Sequence, residues 1–457
     1  MRREPAVTAH SATAAAAPTS GGPGISYIAA NGTGFAITSA QTIGPCTWGD
    51  QVRPGPAAGL RPGLVYKIEI NFYNAWMIRR QVRGRVRELL REYPAVAIVG
   101  PRQSGKTTLA RTLGRAYFDL EQDADRVRLD VAWDATLAGR GVVVLDEAQT
   151  DPALFPRLRG AIDAERRRRG RFLLLGSVAP ALMRQVSESL AGRLAIVELT
   201  PLLATELPAL DLDHLWLHGG YPDGGVLGGR RYPDWQRNYV RLLAERDLPA
   251  WGLPAKPQET MRLVQMLAAS HATLWNASEI GRSLGVSYHT VNSYCDFLEG
   301  AFLIRRLPAF AANLKKRLVR SPKLYWRDSG LVHALLGGPS RGELLSRPWV
   351  GASWEGFVIE QLLAAAAANG RSVEASHFRT SDGQEADLIL DAGRHRWAVE
   401  IKLTSNPSPA DLDRLRHVAA LAGADRLLLV SRTTTPIRSG PVASTNLRGA
   451  LALLGEG

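Results

Sequence analysis

Gly100-Pro-Arg-Gln-Ser-Gly-Lys-Thr107 constrains this chain more than any other stretch, because an apolar run, Ala95 to Val99, leads into it and a helix-forming run, Thr108 to Gly114, leaves it. A strand, a turn bounded by glycines and the start of a helix together aim backbone N–H groups at one point. The positive helix end faces the same point, and the combination suits a polyphosphate. The spacing assigns Gly100, Pro101, Arg102, Gln103, Ser104, Gly105, Lys106, Thr107 and Thr108 to nucleotide binding. Lys106 is expected to reach the β and γ phosphates, and the Thr107 hydroxyl to face Mg²⁺, so ATP with Mg²⁺ is the expected ligand pair.

The surroundings of that loop predict an α/β core over residues 77–202. Short apolar runs at Ala95–Val99, Ala116–Leu120, Val142–Leu145, Phe172–Leu175 and Leu194–Leu199 alternate with helical patterns, as in a parallel sheet flanked by helices. At 457 residues the chain exceeds one ordinary core, and it divides further into a helical connector (203–270), a winged helix-turn-helix region (271–340) and a C-terminal α/β region (341–457). Residues 1–76 are rich in Ala, Gly, Pro, Ser and Thr and are expected to be disordered. Organised sequence begins abruptly at Met77, which is read as the true start.

Composition removes several classes. No stretch approaches the roughly 18 apolar residues of a membrane helix, and the leader is too polar for a secretory core. Two cysteines make neither a disulfide framework nor a zinc site, which fits a cytoplasmic protein. A net charge of +13 favours a polyanionic partner such as nucleic acid.

A second strand, Val142 to Leu145, ends in Asp146-Glu147 with Gln149 close behind. Asp146 at a strand end is placed to hold Mg²⁺ through its water shell, while Glu147 orients or deprotonates the water that attacks the γ-phosphorus. A third strand ends in Ser177, whose hydroxyl is a candidate sensor of that water or phosphate.

These motifs resemble those of prokaryotic AAA-type ATPases joined to a C-terminal domain of unknown function. The likeness rests on GPRQSGKTT (Gly100 to Thr108), LDEAQ (Leu145 to Gln149), LLLGS ahead of Ser177, SLAGRLAIVELTPL (Ser189 to Leu202), HGGYPD (His218 to Asp223), ERDL (Glu245 to Leu248) and RLVRSPKLYWRDSGL (Arg317 to Leu331). It spans about residues 77 to 435, with Ser177-Val178 standing where such proteins often show paired serines. The resemblance implies ATP hydrolysis by Lys106, Glu147 and Ser177. Arg193 and Arg246 are candidates for a transition-state charge, acting in cis or across a homo-oligomer, or else for structural ion pairs.

Ala277 to Gly285 followed by Val286 to Leu298 reads as two helices around a glycine turn, capped by Ser278 and Ser287. In a DNA-binding version Tyr288, His289, Asn292 and Ser293 face outward. A basic strip follows: Arg305, Arg306, Lys315, Lys316, Arg317, Arg320 and Lys323, suited to phosphate contacts. At the C-terminus a helix carrying Glu355 precedes strands bearing Asp387 and Glu400-Ile-Lys402. That pattern is the one found in PD-(D/E)XK, restriction-endonuclease-like folds, where carboxylates bind a metal and the lysine positions water. Alternation puts Glu400 and Lys402 on one face, with Asp387 within reach on the neighbouring strand. The expected function is an ATPase that couples hydrolysis to a DNA-facing C-terminal half. The alternatives are a nucleotide-switched DNA-binding regulator with little turnover, or an ATP-dependent nuclease of DNA repair or defence.

Overall fold

A computed structural model describes residues 78–177, 189–228, 230–311, 318–338 and 340–456. The expected leader and the start at Met77 lie outside the described residues, as do Lys315, Lys316 and Arg317 of the basic strip.

After helix α1 (Arg83–Glu92), strands β1 (Ala95–Val99), β2 (Ala116–Asp119), β3 (Val143–Asp146), β4 (Phe172–Gly176) and β5 (Leu194–Glu198) form a parallel sheet in the order β2-β3-β4-β1-β5. All five residues of β1 are buried, as a central strand covered on both faces requires. Helix α2 (Lys106–Arg111) leaves the loop after β1, and α3 (Leu154–Ala164) packs Leu154, Phe155, Leu158 and Ile162 onto the sheet. The order matters because β1, β4 and β3 lie side by side. Their carboxyl ends, the loop, Ser177 and Asp146-Glu147, therefore open on one crevice.

The connector expected at 203–270 has no core of its own. Leu203 and Trp216 join Trp354, Phe357, Leu388 and Val399 in the C-terminal core. Tyr239, Val240 and Leu243, in and just after helix α4 (Asp234–Leu242), join a core with α5 (Pro257–Ala269), α6 (Ala277–Leu284) and α7 (Tyr288–Gly300). A small antiparallel sheet of β6 (Thr273–Leu274), β7 (Ile304–Leu307) and β8 (Lys323–Trp326), ordered β6-β8-β7, lies beside these helices. Helix α8 (Val350–Ala368) then crosses the C-terminal domain, almost wholly buried. A mixed sheet follows: β9 (Glu374–Arg379), β10 (Glu385–Asp391), β11 (Arg396–Ile401), β12 (Arg426–Val430), β13 (Ile437–Ser439) and β14 (Val442–Thr445). Helix α9 (Pro409–Ala422) starts on the Ser408–Asp411 capping box. The cap of α6 differs from expectation. Asn276, one residue before the helix, accepts from Glu279 N and takes the place read for Ser278, while Ser287 caps α7 as read.

Two buried imidazoles set a pH dependence. Burial, with His333 nearby, lowers the pKa of His271 to about 3, and burial lowers that of His333 to about 4 despite its bond to Leu217 O. Both are neutral in the fold, so the unfolded chain binds protons first as pH falls through the ordinary histidine value. Their stabilisation is present above that value and is lost on acidification. Asp328, raised by burial to about 6, works the other way, its contribution being lost as pH rises through that value. Relative to His333→Gln, wild type is expected in denaturant titration to lose roughly 2 kcal/mol more between about pH 7 and pH 5, since the buried carboxyls with raised pKa are common to both proteins. A difference between the two proteins that does not change over this interval would exclude the assignment.

Candidate functional site

The loop after β1 is built around left-handed backbone. Gly100 has φ +149°, and a Cβ there would sit 2.2 Å from Leu199 O. Gly105 has φ +95°, and Gln103, which has a side chain, adopts φ 60°. Ser104 Oγ donates to Pro101 O at 2.9 Å and pins the turn. Lys106, only 6% exposed, lies along the loop and donates from Nζ to Gly100 O (2.9 Å) and Pro101 O (2.8 Å). Burial pulls its pKa down to about 8, opposed by Glu147 and Asp146. A buried ammonium facing weak acceptors is primed for an anion that restores the charge balance.

Across the crevice Thr107 Oγ1 donates to Asp146 Oδ2 at 2.7 Å, so a hydroxyl and a carboxylate of the type that flanks Mg²⁺ already touch. Asp146 also accepts from Tyr117 Oη (2.8 Å) and from Glu147 N (3.0 Å). Glu147 has φ 48°, a conformation costly for a residue with a side chain, and such outliers gather at functional sites. Its carboxylate accepts from Ser177 Oγ at 2.8 Å and from Gln149 Nε2. Gln149 Oε1 and Arg102 Nε are buried without a hydrogen-bond partner at this rim. The glycine cradle, the buried ammonium, the Thr107–Asp146 pair and these orphaned atoms fit a Mg²⁺ nucleotide.

Several residues of the site have no sequence motif to announce them. Arg80, 8% exposed, donates to Ser104 O (2.6 Å) and Thr200 O (2.6 Å) while its Nε sits 3.0 Å from both oxygens of Glu206. Glu206 in turn accepts from Gln81 N (2.7 Å) and Leu203 N (3.0 Å). The loop is thus tied to the segments before α1 and after β5. Arg102 pairs with Asp247 (2.8 Å) in the π-helical turn Leu243–Asp247, and Arg246 shares that carboxylate at 2.9 Å. Arg193 forms a two-pronged pair with Asp163, 2.9 Å from each oxygen, the structural ion pair named as its alternative role.

At the C-terminus the register Leu388↔Val399 sets Asp387 across from Glu400, and Asp387 also feels the charge of Glu355 on α8. Burial raises the carboxyls of Asp387 and Glu400 to about 7, with Glu355 adding to the first and Asp387 to the second. Lys402 pairs with Glu400. Three residues beyond those read from the motif enter this centre: Lys323 and Tyr325 of β8, and Glu385 of β10. Their signal was alternation, since Lys323 and Tyr325, like Glu385 and Asp387, stand two apart on a strand.

The basic strip is partly consumed internally. Arg305 pairs with Glu360, Arg306 with Glu299 and Asp296, and Lys323 with the C-terminal acids. Arg320 is exposed. Tyr288, His289 and Ser293 are exposed on α7, whereas Asn292 accepts from Trp275 Nε1 at 2.9 Å. No described helix is long and apolar enough to cross a membrane.

Three family models match successive parts of the chain. The model of the AAA domain family matches residues 92–207; a domain of unknown function, DUF8612, matches 209–341, and another, DUF4143, matches 350–446. "Uncharacterized protein Rv2008c" of Mycobacterium tuberculosis and "Uncharacterized protein Mb2031c" of Mycobacterium bovis are each 40% identical over 337 residues, covering 72% of this chain and 75% of the relative. A crystal structure of protein VC1899 from Vibrio cholerae aligns over 79% of this chain and 96% of its own at 13% identity, with a TM-score of 0.17. The chain belongs to the family of these mycobacterial proteins and carries an AAA domain followed by a C-terminal DUF4143 domain.

Proposed function

We propose that this chain binds ATP with Mg²⁺ and hydrolyses it. The observation that carries the reading is the meeting of Lys106, the Thr107–Asp146 pair and the Glu147–Ser177 pair at the carboxyl ends of three adjacent strands. Mg²⁺, when bound, supplies charge neutralisation at the terminal phosphates. Loop N–H groups and Lys106 Nζ hold the phosphates, and Thr107 Oγ1 and Asp146 hold the metal side. Glu147 is the group that orients or deprotonates water, and Ser177 Oγ fixes the carboxylate that does so. Arg80 is a positioning residue behind the loop.

Lys106→Ala tests the reading. Phosphate release should fall to background, and ATP affinity, read with a fluorescent analogue, should drop at least about tenfold, or 1.4 kcal/mol. Undiminished turnover in that variant would remove the assignment.

A DNA-facing role for the remainder is favoured by the exposed start of α7, where Tyr288 and His289 lie ring against ring, centroids 3.9 Å apart. We read α6 and α7 with the β6-β8-β7 sheet as a winged helix. The sheet with Glu355, Asp387, Glu400 and Lys402 we read as a restriction-endonuclease-like fold. In this reading ATP turnover alters how the C-terminal half meets DNA. ATPase rates with and without duplex DNA test it, and the coupling is absent if Tyr288→Ala leaves DNA affinity unchanged.

A further inference from the structure

The nuclease-like centre holds a cation of its own. Lys323 Nζ is 3.1 Å from Glu355 Oε1, in contact with Glu385 Oε1 and 4.0 Å from Asp387 Oδ1, and its side chain is 4% exposed. The carboxylates come from α8 and β10, the ammonium from β8 of another sheet. Burial opposes the charge on Lys323, but Glu355, Asp387 and Glu385 outweigh it and hold the ammonium protonated.

Further contacts take up part of the donor set. Glu355 Oε1 accepts from Tyr325 Oη as well as from Lys323, Asp387 Oδ2 accepts from Ile401 N at 2.8 Å, and Glu400 Oε1 faces Lys402 Nζ. Oxygen donors of this kind suit Mg²⁺ or Mn²⁺, but here they surround an ammonium, and among the described residues no three acidic, His or Cys groups stand as a metal-holding set. The expected metal centre at Glu355, Asp387 and Glu400 therefore does not fit a divalent ion in this arrangement.

We propose that the C-terminal centre is composite and self-occupied: Lys323, delivered by β8 of the middle region, fills the cation position, and no divalent ion binds while β8 is docked. The energetics favour this state. A buried carboxylate cluster without a counter-charge is strongly unfavourable, and a tethered ammonium neutralises it with no loss of a free ion's entropy. The same segment continues to Arg327, which pairs with Glu198 at the end of β5 and with Glu360 on α8. The strand that closes the centre is thereby held to the nucleotide-binding sheet as well. This inference rests on the nuclease-like reading and is independent of ATP hydrolysis.

Mn²⁺ binding to the full chain, followed by electron paramagnetic resonance with nucleotide omitted, tests it. Wild type is expected to leave Mn²⁺ free. Lys323→Met, which removes the charge and keeps the length, is expected to gain one site per chain with affinity raised at least about tenfold. Asp387→Asn in the Lys323→Met background should abolish that site. If Lys323→Met does not fold, Lys323→Gln carries the same expectation. A wild-type Mn²⁺ site that disappears in Asp387→Asn or Glu400→Gln overturns the proposal, and so does a folded Lys323→Met or Lys323→Gln protein that gains no site.

Discussion

Glu147→Gln is expected to lower steady-state ATP turnover by about 10²–10⁴-fold, the range attributed to a positioned general base, while ATP affinity stays within a few-fold. The separation follows from geometry. Glu147 takes no part in the loop that holds phosphates; it stands at the end of β3 in contact with Ser177 and Gln149. Glutamine keeps the size and can still meet the Ser177 hydroxyl, but it cannot accept a proton from water. Single-turnover phosphate release together with equilibrium nucleotide binding makes the measurement. Equal losses in both would mean that Glu147 shapes the loop and takes no part in the chemistry. The left-handed backbone at Glu147, φ 48°, adds a second handle. Glu147→Gly is expected to relieve backbone strain of order 1–3 kcal/mol while abolishing turnover, the opposition of stability and activity expected where strain serves a site.

Arg80→Ala is expected to be the most destabilising single change around the loop, by about 3–5 kcal/mol. Its guanidinium is buried against Glu206, whose side chain is 2% exposed, so truncation leaves a carboxylate with two backbone N–H partners and no counter-charge. Ser104 O and Thr200 O lose charge-assisted donors at the same time. Thermal unfolding should shift down by several degrees, and nucleotide affinity should weaken because Ser104 O belongs to the phosphate loop. Arg80→Ala/Glu206→Gln should recover part of the stability, since it removes the unpaired charge. A single variant that unfolds like wild type would show that the pair is neutralised by some other group.

The α/β core was readable because its strands are centrally buried and its punctuation is strong. The five apolar runs coincide with β1 to β5 within a residue or two. The positions of Lys106, Thr107, Asp146 and Glu147 were readable because the motif spacing fixes each at a strand end or in the turn or helix that follows it. Arg80 and Tyr117 were not, since each acts through a contact that only the folded chain makes, over 24 residues to Ser104 and 29 to Asp146. Charge patterns misled for the same reason. Arg305, Arg306 and Lys323 form a basic run along the chain, yet each meets a carboxylate in the fold, the partner of Arg305 lying 55 residues away.

By itself the sequence determined that a phosphate-binding loop opens a parallel sheet, and which acids stand at the ends of the neighbouring strands. Local spacing suffices there, because each group is fixed by the strand or turn that carries it. Only the tertiary structure decided what those groups face. Ser177 meets Glu147, Arg193 is taken by Asp163, and Lys323 crosses from β8 into the carboxylates of α8 and β10. The physical reason is that a buried charge takes whichever opposite charge the packing brings beside it, and packing joins residues that no sequence period relates.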